Sequence, residues 1–295
     1  MFAEDYPRFM EVSDLVPQPD RLNERYEAMF EGNKDILDGA RVLDLASHDG
    51  RYSFAALKAG AAHVTGVEVR QELIDKAEET FAFYGQDPET YRFVRGDIFE
   101  VLAEEKFEVD VVFCLGYLYH TYRHTELMYR LHHLDPKYLI VDTMVTPDTE
   151  ASCKVVREPD AKDIRSAAQD PWAVDRVLVL RPSVPALQIL LRNYGFDIES
   201  MYDWKSRLAG REIKPGLGGY AKGQRATVRC RSRKAAKAAG LEPLPPIKLP
   251  AGPTGGPPPA PDTAQEQPAG GWRDRVNKTL ARTTGYELRR ASSGS

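Results

Sequence analysis

The sequence predicts an α/β chain: a doubly wound, mostly parallel seven-stranded sheet with an inserted lid and a disordered C-terminal linker. Three observations carry that prediction. Short apolar runs alternate with amphipathic stretches between Arg41 and Asp142, the rhythm of repeated strand–helix–strand units. In the clearest unit, RVLDLASHDGRYSFAALKAGAAHVTGVEVR, a buried strand (Val42, Leu43, Leu45) turns tightly through Asp49 and Gly50. An amphipathic helix follows, then a second strand that closes on Glu68. Finally, 42% apolar content over 295 residues is enough to bury a full core.

The elements follow in order. The first forty residues hold one helical pattern, 19–37, placed to lie across the sheet. After the second strand, a helix aligns Leu73, Ile74, Ala77 and Phe81 on one face. A third strand, 91–95, leads into Gly96, Asp97 and Ile98. The fourth, 110–115, is almost continuously apolar, as a parallel strand covered on both faces should be. Its helix carries Leu127, Leu131 and Leu134, and the fifth strand, 138–141, ends on Asp142. Between 146 and 181 the rhythm breaks. Two β-like runs, 154–157 and 175–180, flank a polar helical stretch, the pattern of an insertion forming a lid or substrate wall. Ser183 then leads into a helix striped by Leu187, Leu190, Leu191 and Tyr194 and stopped by Gly195. Runs 196–202 and 226–230 close the sheet. The domain therefore reads as 1–236 with the insertion 146–181. A Pro/Gly-rich linker, 237–271, follows it. The tail, 272–295, has Trp272, Val276 and Leu280 on one side. Two fates are open to it: docking on a partner or membrane surface, or fraying in solvent.

Composition excludes some classes. A net charge of −4 argues against a generally basic nucleic-acid binder, although bases far outnumber acids between 205 and 237. That run reads equally as an anion-attracting face or as a solvated strand edge. Cys114, Cys153 and Cys230 are far apart, with no CxxC pair, which fits a reducing compartment. No signal peptide and no membrane-spanning run is evident, so the expected location is cytoplasmic.

Asp44 and Glu68 stand at the ends of the first two strands. An acid roughly 20 residues beyond the first strand suits the hydroxyls of a ribose. A dinucleotide pyrophosphate would need glycines in the intervening turn, where Ala46 and His48 stand instead, with Gly50 retained. The expected ligand is a nucleoside without phosphates.

The ordered motifs LDLASHDG, GVE, GDIF and LGYLYHT resemble those of the class I S-adenosylmethionine-dependent methyltransferases over about 41–230. LGYLYHT together with RPSVPALQILLRNYGF is similar to the tRNA wobble-uridine carboxymethyltransferases and their relatives. The resemblance implies a Rossmann-like fold, S-adenosyl-L-methionine as cofactor, and an enzyme. By the same resemblance Asp44, Ala46 and Gly50 lie along the methionine, and Glu68 takes the ribose hydroxyls. Asp97 accepts from the adenine amino group, Ile98 packs on the ring, and Leu115 floors the sulfonium. Read from the residues alone, Asp44 equally caps the turn, and Asp97 equally N-caps the next helix.

Tyr117, Tyr119, His120 and Arg123 follow the fourth strand, where the transferable methyl must point. Methyl transfer is an in-line displacement, so alignment does most of the work. A hydroxyl acceptor must also lose a proton, for which His120 is the candidate base, with Tyr119 or Arg123 orienting the acceptor; read from the residues alone, His120 equally only hydrogen-bonds the loop while proximity does the catalysis. The expected reaction is O-methylation of a small molecule or glycan. The first alternative is methyl or carboxymethyl transfer to a tRNA wobble uridine, with tRNA as partner. Carboxymethyl transfer needs cations near the sulfonium, for which Arg51, Arg123 and Arg181 are candidates. The second alternative is a non-catalytic cofactor-binding or assembly protein, supported by the missing glycines. His120 and His124 share an i, i+4 spacing, but no third ligand is evident, so no metal is expected.

Overall fold

Strand alternation divides the core into two layers. In β1 (Arg41–Leu45) Val42 joins one buried cluster while Leu43 and Leu45 join the other. The same split recurs in β2 (His63–Glu68), where Val64 and Val67 face opposite sides, and in β4 (Val111–Leu115), where Phe113 opposes Val112 and Cys114. Helices Pro19–Met29, Arg51–Lys58 and Gln71–Phe83 cover the first face. Helices Ile98–Glu104, His124–Leu134 and Val184–Asn193 cover the second. With β3 (Tyr91–Arg95), β5 (Tyr138–Met144), β8 (Phe196–Met201) and β9 (Arg225–Ser232), the sheet has seven strands ordered β3-β2-β1-β4-β5-β9-β8. Strands β1 to β5 are parallel, and β9 runs antiparallel between β5 and β8. The order reverses between β1 and β4, which opens a crevice at their carboxyl ends.

This computed structural model describes residues 1–158 and 176–247. The centre of the insertion, most of the Pro/Gly-rich linker and the whole of the tail lie outside the described residues. The flanks of the insertion pair as an antiparallel hairpin, β6 (Cys153–Arg157) with β7 (Leu178–Pro182). It is rooted by Ser183, whose hydroxyl donates to the Glu150 carbonyl at 2.7 Å and accepts from the Ser152 amide at 3.0 Å.

Two expectations need correcting. The amino-terminal pattern is not one helix from 19 to 37. It stops at Met29 and restarts as a short Lys34–Leu37 turn, because Asn33 Nδ2 donates to the carbonyls of Ala28 and Met29 at 3.3 and 3.1 Å. Two further one-turn helices, Phe2–Asp5 and Arg8–Glu11, precede it and pack Phe2, Tyr6 and Phe9 against Phe54. Four-residue helices are too short for periodicity to reveal. Secondly, the chain after 236 does not leave the fold at once. Helix Arg233–Ala238 follows β9, and an extended strip then docks through the Leu244 amide, which donates to Asp197 Oδ2 at 3.0 Å.

Candidate active site

The turn after β1 is where the sequence departed from a glycine-rich form, and its backbone is left-handed all the same. Ala46, His48 and Gly50 have φ of 55°, 54° and 73°. A non-glycine residue there carries about 1–2 kcal/mol of steric cost, so neighbouring interactions must hold the turn. Glu68 supplies them. Its Oε2 accepts from the His48 amide, and its Oε1 accepts from the amides of Val69 and Arg70, each at 3.0 Å. One buried carboxylate thus braces the turn of the neighbouring strand while lining the cavity beside it.

That cavity, about 1100 Å³, opens at the carboxyl ends of β1, β2 and β4. Of the positions expected to hold a nucleoside, Ala46, Glu68, Asp97, Ile98 and Leu115 line it. Asp97 is a helix N-cap that also lines the cavity, its Oδ1 accepting from the Phe99 amide at 2.8 Å. Asp44 and Gly50 are not among the lining residues. Asp44 sits one pleat below the strand tip, under helix Arg51–Lys58, and its Oδ2 accepts from the Ser53 hydroxyl at 2.7 Å. Gly50 meets the next helix: a Cβ there would stand 2.8 Å from that of Ala77. His48 lines the cavity with a buried Nε2 that has no hydrogen-bond partner, and Arg25 lines it with an unpartnered buried Nε. The Arg25 Nε is a donor, and an orphaned donor beside a hollow suits a ligand carrying acceptors, whereas His48 Nε2 donates or accepts according to the ring's protonation.

On the acceptor side, Tyr119, His120 and Arg123 also line the cavity. Arg123 is already engaged, held by Glu126 through two hydrogen bonds of 2.8 Å and stacked 3.6 Å over the Phe99 ring. The 3₁₀ turn Leu118–His120 carries the His120 ring to Glu158, with Nδ1 2.7 Å from Oε2. Burial pushes the imidazole pKa down, but the hydrogen bond to Glu158 and the neighbouring Tyr119 outweigh that and raise it above 6.5. His124 is elsewhere, its Nε2 2.7 Å from the Leu118 carbonyl. Among the described residues no three metal-ligating side chains converge.

The sequence reading missed a charged cluster beneath Tyr119. Asp142, wholly buried on β5, meets Arg25 at 3.2 Å and Arg225, and accepts from Thr227 Oγ1 at 2.7 Å and Tyr220 Oη at 3.0 Å. Burial would raise its carboxyl, but the two guanidiniums win and hold it at about 2. Two cations against one anion leave an excess positive charge, and Arg225 stands within 3.4 Å of Tyr119 Oη. Burial raises that phenol, yet Arg225 and His120 bring it down to about 7. The available signal was a third strand-end acid, Asp142, in line with Asp44 and Glu68.

Much of the basic run is consumed internally. Arg207 and Arg211 pair with Glu24 at 2.7 and 2.8 Å, and Arg229 with Asp35 and Glu199 at 2.8 and 2.6 Å. Arg233 pairs with Asp197 at 2.7 Å. No helix among the described residues is long and apolar enough to cross a membrane.

Comparison with known proteins agrees with the geometry. A family described as a methyltransferase domain matches residues 42–134. Ribosomal RNA large subunit methyltransferase I of Aeromonas salmonicida is 36% identical over 77 residues, 24% of this chain and 19% of that protein. The tRNA U34 carboxymethyltransferase of Ectopseudomonas mendocina is 29% identical over 161 residues, 55% of this chain and 46% of that one. The chain thus spans about a fifth of the first relative and under half of the second. Among solved structures, the N-terminal domain of EvdMO1, crystallised with SAH and D-fucose, superposes with a TM-score of 0.50 at 20% identity, covering 75% of this chain and 85% of that one. Magnesium protoporphyrin IX methyltransferase from Synechocystis PCC 6803 gives 0.51 at 15% identity, covering 78% and 94%. The chain shares the Rossmann-like fold of these structures, and its match to the methyltransferase-domain family covers residues 42–134.

Proposed function

We propose that this chain is an S-adenosylmethionine-dependent methyltransferase acting on an oxygen of a small molecule or glycan, with His120 as base. One observation carries the reading: the same cavity is lined by Ala46, Glu68, Asp97, Ile98 and Leu115 and by His120. In this reading Glu68 receives a ribose hydroxyl at Oε2, through the lone pair that the His48 amide does not use. Asp97 accepts from the adenine amino group, and Ile98 and Leu115 supply apolar contact. Arg25, whose buried Nε has no partner, faces the methionine carboxylate. When bound, the cofactor supplies an electrophilic methyl on a sulfonium. The protein aligns the acceptor hydroxyl with it, and His120 Nε2 takes the hydroxyl proton as the oxygen attacks.

The cavity exceeds the roughly 300–1,000 Å³ of common ligand pockets, which leaves room for an acceptor beside a nucleoside. The non-catalytic alternative drew its support from the absent glycines, and a left-handed backbone at Ala46 and His48 weakens it. A small-molecule role also fits the internally paired basic run better than a tRNA-binding face does.

A second reading is favoured by the Arg25, Arg225 and Tyr119 cluster. A surplus buried cation beside Gly116, whose added Cβ would lie 4.0 Å from Arg25 NH2, suits a donor bearing an extra carboxylate, and hence carboxymethyl transfer. Arg51 is less suited to that duty because Asp49 already holds it, and Arg123 because Glu126 does.

The test has two parts. Isothermal titration with S-adenosylmethionine and S-adenosylhomocysteine should give heat with both, and no heat with either removes the reading. Mass spectrometry of candidate acceptors then distinguishes a gain of methyl from carboxymethyl. His120→Ala should lower turnover by roughly 10²-fold or more; unchanged turnover removes the base assignment.

A further inference from the structure

We infer that Glu158, contributed by the insertion, is a positioning residue that fixes the ring orientation and tautomer of His120 for proton abstraction. The inference rests on the methyltransferase reading and deepens it. The backbone of His120 is set by its own turn, where the His120 amide donates to the Tyr117 carbonyl at 2.7 Å. That turn sets the Cα position and leaves rotation about the side-chain bonds open. Glu158 closes this freedom by holding Nδ1 at 2.7 Å. With Nδ1–H donated to a carboxylate, the neutral ring carries its free lone pair on Nε2, the tautomer a general base requires.

The geometry of the hairpin explains why a residue 38 positions away reaches so close. The Glu158 amide donates to the Val177 carbonyl at 2.9 Å, extending the β6–β7 pairing by one step. The Leu180 amide donates to the Thr121 carbonyl at 3.2 Å, so β7 lies along the catalytic turn. Val177 and Leu178 line the cavity. The insertion therefore places an apolar wall and a carboxylate on the same site, and Glu158 itself is nearly wholly buried, at 4% exposure. Among the described residues, the groups facing the ring are Glu158 from the insertion and Tyr119 from its own turn, with Arg225 of β9 behind the phenol.

Glu158→Gln and Glu158→Asp, each alone and with His120→Ala, test the assignment by two independent readouts. The first is the His120 imidazole titration followed by NMR on the full chain, which needs no acceptor. Glu158→Gln should move its midpoint to lower pH, and Glu158→Asp should restore part of the shift. The second is turnover. Glu158→Gln should lower kcat by roughly 10- to 100-fold, as loss of an orienting partner does, with the KM for the donor unchanged and the acidic limb of the pH profile displaced downward. In the His120→Ala background it should cost nothing further. An unmoved titration, or equal losses in both backgrounds, overturns the assignment. A moved titration in a protein that fails the calorimetric test leaves the pairing intact and removes the methyltransferase reading instead.

Discussion

Replacing Asp44 with Asn is expected to stabilise the fold above neutral pH and to leave it unchanged in acid. Asp44 is 1% exposed, beneath the first helix of the sheet. Burial pushes its carboxyl up from 3.8 to about 7; the Ser53 hydroxyl opposes the rise, and the nearby Glu68 charge adds to it. The folded chain therefore binds this proton more tightly than the unfolded chain does. A raised folded-state pKa contributes stability that is fully present below the unfolded value, 3.8, and is lost as the pH rises through about 7. At ~1.4 kcal/mol for each unit, a rise of that size corresponds to about 4 kcal/mol. Asn keeps an acceptor for Ser53 and has no charge to bury, so most of that loss should be recovered at pH 8. For a domain of this size about 1 kcal/mol moves Tm by roughly 2–4 °C. The variant should thus melt roughly 5–15 °C higher than the parent at pH 8 and within about 2 °C of it at pH 4. Scanning calorimetry of both proteins from pH 4 to pH 9 reads this directly. Parallel curves, with no widening gap toward alkaline pH, refute the claim that a titrating carboxyl is buried there.

Two other substitutions probe the same turn. Gly50→Ala adds a methyl 2.8 Å from Ala77 Cβ and 3.0 Å from the Phe93 ring at a φ of +73°, so strain and overpacking together should cost about 2–4 kcal/mol in urea unfolding. A loss below about 1 kcal/mol would mean that the helix can retreat without penalty. Glu68→Ala removes the proposed ribose acceptor and strips three amides of their partner. Calorimetry should report at least about a 100-fold loss of donor affinity, since hydrogen bonds to charged groups contribute about 1.5–3 kcal/mol each; a loss under threefold contradicts the role.

Where one local pattern determines a position, the sequence was enough. A strand that ends in a turn puts its last side chains at the sheet edge whatever lies elsewhere, so Glu68, Asp97, Ile98, Leu115, Tyr119 and His120 were legible, and all six line the cavity. The Ser183 cap and the Gly195 stop were legible for the same reason. Residue type did not disclose the left-handed backbone at Ala46 and His48, because the turn is braced through the His48 amide by the carboxylate of the next strand rather than by glycine.

What tertiary structure alone decided is which distant groups share charge. Asp142 meets Arg25 across 117 residues and Arg225 across 83, and no spacing rule connects them. Glu158 reaches His120 only through the hairpin, and the run of bases from 205 to 237 lost much of its outward charge to acids on other elements. Asp44 turned inward because a single pleat separates it from the strand tip and a serine on the overlying helix meets it. Backbone pattern is a local property and can be read along the chain. Pairing and burial of charge depend on which surfaces the sheet brings together, and they exist only once it has formed.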